Sequence, residues 1–247
     1  SVHTFGSGSA PIAPALLQWY HGLGIDICEG WGMSETTGLS ACNMPFQADR
    51  MGTIGVPLAC VEMKIADDGE LLIRGDAVFE EYYNNPEATA EAFKDGWFHT
   101  GDKAEQTANG AFRIIGRLKE EFKTTKGKYV APVPLESRLS GNPDIEQVCV
   151  IGAGRTQPAA VVVLAEHLRN ADRDSLSRSL RRTLEELNAT LESHQKLEGI
   201  LVAKEPWSIE NERLTPTLKL RRSYLEEVYN ERLNDVTGGV VVWEDER

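Results

Sequence analysis

The chain has 247 residues, 26 of them basic and 38 acidic, for a formal net charge of −12 at pH 7. At about 100–200 residues per domain this is one large domain or two small ones, with chain enough for a sizeable core. A hydrophobic fraction of 41% and a charged fraction of 26% exclude a disordered or fibrous chain, and the acidic excess argues against nucleic acid and against an anionic membrane surface as partners.

No apolar run approaches the ~18 residues of a membrane helix. Ser1-Val2-His3-Thr4 lacks the basic, apolar and small-residue succession of a signal peptide. Cys28, Cys42, Cys60 and Cys149 show no CxxC spacing, so neither zinc nor a redox dithiol is suggested. They fit buried thiols in a reducing, cytosolic compartment.

In chain order, Val2 to Phe5 reads as a strand running into Gly6-Ser7-Gly8-Ser9-Ala10-Pro11. Pro14 then opens a helix with Leu16, Leu17, Tyr20 and Leu23 on one face, closed by Gly22 and Gly24. Ile25 to Cys28 is the next strand, giving a β-α-β order. Val61 to Ile65 and Leu71 to Arg74 form a hairpin across Asp67-Asp68-Gly69. Asn85 caps a short helix whose first residue is Pro86. Asn109-Gly110 is a second hairpin turn, leading into Phe112 to Ile115. These short strands predict a small barrel or compact sheet layer.

Composition changes near Gly116-Arg117: residues 1–117 hold seven basic and sixteen acidic side chains, residues 118–247 nineteen and twenty-two. A domain boundary is placed there. Beyond it, Phe122 to Thr125 and Tyr129 to Ala131 flank a turn at Lys126-Gly127. Glu146 to Ile151 and Ala159 to Ala165 are strands. Leu176, Leu180, Leu184, Leu187 and Leu191 make the buried face of a helix, and Tyr224, Val228 and Leu233 mark a last one.

Four stretches could carry chemistry. The Gly6-to-Ala10 loop lets backbone N–H groups approach a nucleotide, although a tight strand–helix turn needs the same residues. Gly30-Trp31-Gly32-Met33-Ser34-Glu35 combines a ring that can stack on a base, a hydroxyl for phosphate and a carboxylate suited to Mg²⁺; a glycine-rich turn with a solvated Glu is the plain alternative. Asp102, after Thr100-Gly101, could hold a ribose through two hydroxyls or simply form a turn, with Arg117 fifteen residues on as a cation for the same ligand. His99 is assigned no role. Lys219, in Leu214-Thr215-Pro216-Thr217-Leu218-Lys219, is either a point charge for phosphate or carboxylate or the basic start of a helix.

Taken together with Gly116-Arg117-Leu118-Lys119-Glu120 and Gly127-Lys128-Tyr129-Val130-Ala131-Pro132, these stretches resemble the adenylate-forming (AMP-binding) superfamily, and within it the long-chain fatty acyl-CoA synthetases. The Gly127-to-Pro132 run favours the fatty-acid branch. The resemblance implies an α/β and α+β chain. Residues 1–117 would be the C-terminal edge of an α/β layer plus a small β-barrel. Residues 118–247 would be a small mobile α+β lid domain, hinged at Lys119. It implies an ATP-dependent activation of a fatty acid to acyl-adenylate and then, with CoA, to acyl-CoA, by a cytoplasmic enzyme that is at most peripheral to a membrane.

The resemblance also implies residue roles. Gly8, Ser9, Ala10 and Pro11 line the adenine side. Gly30, Trp31, Gly32 and Met33 continue the nucleotide site, with Trp31, where Tyr is usual, stacking on adenine. Ser34, where Thr is usual, contacts the α-phosphate, and Glu35 binds Mg²⁺. Asp102 and Arg117 hold the ribose hydroxyls, with Ile114 packing nearby. Lys219 bridges the acyl carboxylate and the α-phosphate, and the Gly127 loop serves CoA. Leu218 replaces a common Gly. The family's Thr/Ser/Gly-rich phosphate loop has no counterpart in the chain and is expected upstream, so the chain is expected to be an inactive C-terminal part. An acyl-AMP ligase delivering to a carrier protein and a non-catalytic nucleotide-binding fragment are the alternatives.

Overall fold

A computed structural model describes residues 4–169 and 171–246. The chain falls into two compact units, residues 1–119 and 120–247.

Among the described residues, the first unit carries two sheets. Strand β1 (Phe5–Ser7) pairs in parallel with β2 (Ile27–Met33), joined by helix α1 (Pro14–Gly22). Val2, where the predicted strand begins, lies outside the described residues; the described strand instead runs on into Gly6 and Ser7. Only Leu17 of the predicted apolar face is buried, while Leu16 and Leu23 are 44% and 59% exposed. β2 then pairs antiparallel with β3 (Gly38–Cys42), which pairs with β4 (Val56–Pro57). Gly30, Trp31, Gly32 and Met33 are therefore strand residues, not a turn. A Cβ on Gly32 would collide with the carbonyl of Gly38 on β3, so glycine here serves a close approach between strands.

The second sheet comprises β5 (Val61–Ile65), β6 (Glu70–Gly75), β7 (Phe93–Lys94), β8 (Trp97–Gln106) and β9 (Phe112–Arg117). β5 and β6 form the predicted hairpin. β6 pairs with β8, while β7 pairs with the first residues of β8 and β9 with its last. Among the described residues the sheet stays open, which corrects the expected β-barrel: β5 pairs only with β6, so no strand closes the circle. Helix α2 (Pro86–Ala92) is capped as its sequence requires, the side-chain Oδ1 of Asn85 accepting from the Ala88 N–H at 3.1 Å.

The second unit opens with a two-stranded hairpin, β10 (Phe122–Lys123) and β11 (Tyr129–Val130), followed by α3 (Pro132–Leu139). Its main sheet runs in the order β12 (Ile145–Ile151), β13 (Ala159–Leu164), β14 (Gly199–Val202), β15 (Val240–Trp243). The first pair is antiparallel and the others parallel. The two parallel crossovers carry α4 (Arg173–Asn188) and α5 (Arg222–Tyr229). Side chains alternate across a strand, and here both faces are used. Val148, Val150, Ala160, Val162, Ile200 and Val202 pack with Leu176, Leu180, Leu184 and Leu187 of α4. Cys149, Ile151, Val161, Val163 and Leu201 pack with Leu225 and Tyr229 of α5. Covered on both sides, β13 is an unbroken apolar run rather than an alternating one.

Candidate functional site

Three candidate residues of the first unit, Trp31, Asp102 and Arg117, meet at an irregularity in β8. Glu70 faces Lys103 and Leu72 faces His99, so Leu71 on β6 is opposed by three residues, Thr100, Gly101 and Asp102. Such a bulge re-aims side chains beside functional sites. Two extra residues preserve the parity of the strand, and Phe98, Thr100, Asp102 and Ala104 all remain buried. Gly101 takes φ +71, a left-handed conformation that costs glycine little. The Thr100 hydroxyl donates to the Leu71 carbonyl at 2.7 Å and accepts from the Asp102 N–H at 3.1 Å. Asp102 therefore sits within a ten-residue strand, not in the turn expected of Thr-Gly-Asp.

The bulge delivers a buried carboxylate to two donors. The indole N–H of Trp31 donates to Asp102 Oδ2 at 2.8 Å, and Arg117 Nε lies 3.0 Å from Oδ1. Asp102 and Arg117 are register partners on β8 and β9. Ile114, like Trp31, packs against the buried cluster of Leu71, Ala104 and Phe112. Trp31, expected to stack on a base, is also tied by its N–H to the acid expected to hold the sugar.

Elsewhere in the first unit, Gly8 lies against β2: a Cβ on it would sit 3.2 Å from the Gly30 carbonyl oxygen. Ser9, at φ +67, turns the chain into Ala10 and Pro11. After Met33, Ser34 and Glu35 belong to a short 3₁₀ turn over Ser34–Thr36. Glu35 Oε1 accepts from the Tyr82 hydroxyl at 3.0 Å. Burial first, and then Glu35, pushes the Tyr82 hydroxyl pKa up. Among the described residues no cluster of three or more His, Cys, Asp or Glu is placed to hold a metal.

Glu29, next to Gly30, was not singled out by sequence. It accepts from the Gly52 N–H at 2.7 Å. Burial raises its carboxyl to about 7, outweighing Gly52 and Arg113, which pull it down. A carboxyl raised in the fold keeps its proton where the unfolded chain has lost it, so this group costs stability as pH climbs from about 4.5 to about 7. Glu29→Gln, which keeps an acceptor for Gly52, is expected to be more stable than the parent at about pH 8, with the gap closing toward about pH 5. Thermal unfolding across that range checks it; a gap that widens on acidification contradicts it.

Lys219 and Gly127 belong to the second unit. Lys219 is exposed in a tight loop between Leu214 and Leu220, which bridge to each other. Its N–H donates to the Thr215 hydroxyl at 3.0 Å and its carbonyl accepts from the Thr215 N–H at 2.8 Å. The lysine is thus a loop residue, and α5 begins only at Arg222. Leu218 adopts φ +60, the conformation that the more usual glycine takes without strain. Gly127, at φ +77, closes the β10–β11 turn.

Arg222 anchors this loop. Its guanidinium meets both oxygens of Glu136 on α3, at 2.5 and 2.6 Å, and Glu120 at 3.0 Å. Glu136 also accepts from the Val150 N–H at 2.8 Å. Burial disfavours the charge on Arg222, yet Glu136 leaves it more firmly protonated than an ordinary arginine. Burial, with Glu136 beside it, lifts the Cys149 thiol to about 12, so this cysteine is an inert packing group.

Comparison with known proteins places these units. A family model described as AMP-binding enzyme matches residues 1–83, and one described as AMP-binding enzyme C-terminal domain matches residues 121–237. Long-chain-fatty-acid–CoA ligase FadD15 of Mycobacterium bovis is 44% identical over 158 residues, 64% of this chain and 26% of that protein. Putative fatty-acid–CoA ligase fadD11 of Mycobacterium tuberculosis is 32% identical over 247 residues, 93% of this chain and 43% of that protein. The solved anthranilate CoA ligase AuaEII, in complex with anthranoyl-AMP, superposes with a TM-score of 0.75 at 25% identity, covering 90% of this chain and 44% of that one. The chain thus spans less than half the length of these relatives.

Proposed function

The chain belongs to the adenylate-forming, AMP-binding superfamily, and on that premise we propose that the whole protein is an ATP-dependent fatty acyl-CoA synthetase. The observation that carries the reading is the bulge that sets buried Asp102 between the Trp31 N–H and Arg117. A carboxylate so placed suits the paired hydroxyls of a ribose, accepting from both.

In the first step the fatty-acid carboxylate attacks the α-phosphorus of ATP, giving acyl-adenylate and pyrophosphate. In the second the thiol of CoA attacks the acyl carbonyl and releases AMP. Catalysis of this kind rests on positioning and charge neutralisation. Gly8 to Pro11, Gly30, Gly32 and Met33 line the nucleotide. Trp31 flanks the base while fixing Asp102. Ser34 donates to the α-phosphate, and Lys219 supplies the ammonium that neutralises it.

Mg²⁺ takes oxygen ligands and is often held by one or two carboxylates plus substrate phosphates. Glu35, a single carboxylate on a short turn, could serve as such a ligand. When bound, the ion would offset phosphate charge. Lys119, where the two units join in sequence, is the hinge on which the small domain changes between half-reactions, and the Gly127 loop serves the CoA step. The enzyme would act in the cytoplasm. Among the described residues no helix is long and apolar enough to cross a membrane.

Binding tests the reading. Asp102→Ala in the full-length protein is expected to weaken AMP by about 10- to 100-fold, the loss of charge-assisted contacts worth about 1–3 kcal/mol. Unchanged AMP affinity by calorimetry in a folded variant contradicts it.

A further inference from the structure

We propose that Glu70, together with His99, is a positioning pair for the nucleotide, holding open the β8 bulge that presents Asp102. The inference rests on Asp102 being the ribose acid.

Glu70 is the first residue of β6 and is 7% exposed. A carboxylate is rarely buried unless its oxygens are occupied. Here each oxygen has its own partner: Oε2 lies 2.6 Å from His99 Nδ1, and Oε1 accepts from the Gly101 N–H at 2.8 Å. His99 flanks the irregularity and Gly101 lies within it. The register jumps from Glu70–Lys103 to Leu72–His99, so the Gly101 N–H falls between ladder positions. Backbone donors in buried structure must be paired, and Glu70 supplies the acceptor that the ladder omits. Thr100 satisfies the Leu71 carbonyl and the Asp102 N–H from within the bulge. Glu70 works from across it, and His99 holds the second oxygen and so the carboxylate's orientation. Among the described residues, neither Glu70 nor His99 forms a hydrogen bond or ion pair with Trp31 or Arg117. Their influence on a ligand therefore runs through the backbone of Gly101 into Asp102. A displaced carboxylate would meet neither the two donors that orient it nor a ribose.

A double-mutant cycle on AMP affinity, measured by calorimetry in the full-length protein, separates positioning from general stability. Glu70→Ala is expected to weaken AMP about tenfold. Glu70→Gln, which retains an acceptor for Gly101, is expected to restore most of that loss. In the Asp102→Ala background Glu70→Ala is expected to change AMP affinity by less than about twofold, because the group it positions is gone. Equal weakening by Glu70→Ala in both backgrounds overturns the inference while leaving the ribose assignment standing. Wild-type AMP affinity in Asp102→Ala alone overturns the ribose assignment and the inference with it. If Glu70→Ala does not fold, His99→Ala runs through the same cycle: coupling to Asp102 supports the pair, and additivity or no effect overturns it.

Discussion

Replacing Lys219 with alanine in the full-length protein is expected to slow acyl-adenylate formation by about 10²- to 10³-fold, the usual consequence of deleting one group that neutralises transition-state charge. Transfer of the acyl group from supplied acyl-adenylate to CoA is expected to stay close to the parent rate. The reasoning begins in the loop. Lys219 is exposed, and its backbone is fixed on both sides by Thr215. Three residues later Arg222 is clamped by Glu136 and Glu120. The ammonium therefore projects from an anchored loop, and alanine removes the charge without disturbing the anchor. Pyrophosphate exchange reports the first half-reaction and thioester formation the second. Equal loss of both would show that Lys219 acts on folding or on a shared step.

The second large effect concerns stability. Glu136 is 8% exposed, faces Arg222 with both oxygens and receives the Val150 N–H. Replacing a buried ion pair wholesale can be nearly neutral, but removing one partner strands the other. Glu136→Ala leaves a half-buried guanidinium and a strand N–H short of their acceptor. It is expected to destabilise the second unit by about 3–5 kcal/mol. Glu136→Gln, still able to accept from Val150, is expected to cost less. Hydrogen exchange of the amides in Ile145–Ile151 reads the local loss; unchanged protection in Glu136→Ala would remove the network from any account of the fold.

Local chemistry made much of this architecture legible. Asp67-Asp68-Gly69 and Asn109-Gly110 announce their turns, and Asn85-Pro86 announces a capped helix, because each signal acts within a few residues. Leu176 to Leu187 show one helical face for the same reason, although Leu191 falls beyond the end of α4. What escaped depends on distant partners. β3, β14 and β15 are short strands whose identity lies in the ladders they join. Thr100-Gly101-Asp102 has turn composition, yet it forms a bulge because Glu70, some thirty residues upstream, satisfies it. The expected barrel failed for the same reason, since closure is a property of which edges pair.

The candidate site divides in the same way. Asp102 and Arg117 could be paired by chemistry, and the structure sets them in register. The indole N–H of Trp31 on Asp102 spans 71 residues and leaves no local trace. His99 carried no sequence signal, because an imidazole beside a glycine reads as an ordinary polar residue until Glu70 is placed against it. Leu218 shows the reverse: its left-handed backbone gives a conformational reason why glycine is common before the lysine.

The most direct test of the synthetase reading is product analysis of the full-length protein given ATP, Mg²⁺, a long-chain fatty acid and CoA. The expected result is fatty-acid-dependent release of AMP and pyrophosphate with acyl-CoA accumulating in step with AMP. Release of ADP, AMP formation indifferent to fatty acid, or acyl-adenylate that CoA cannot discharge would contradict it.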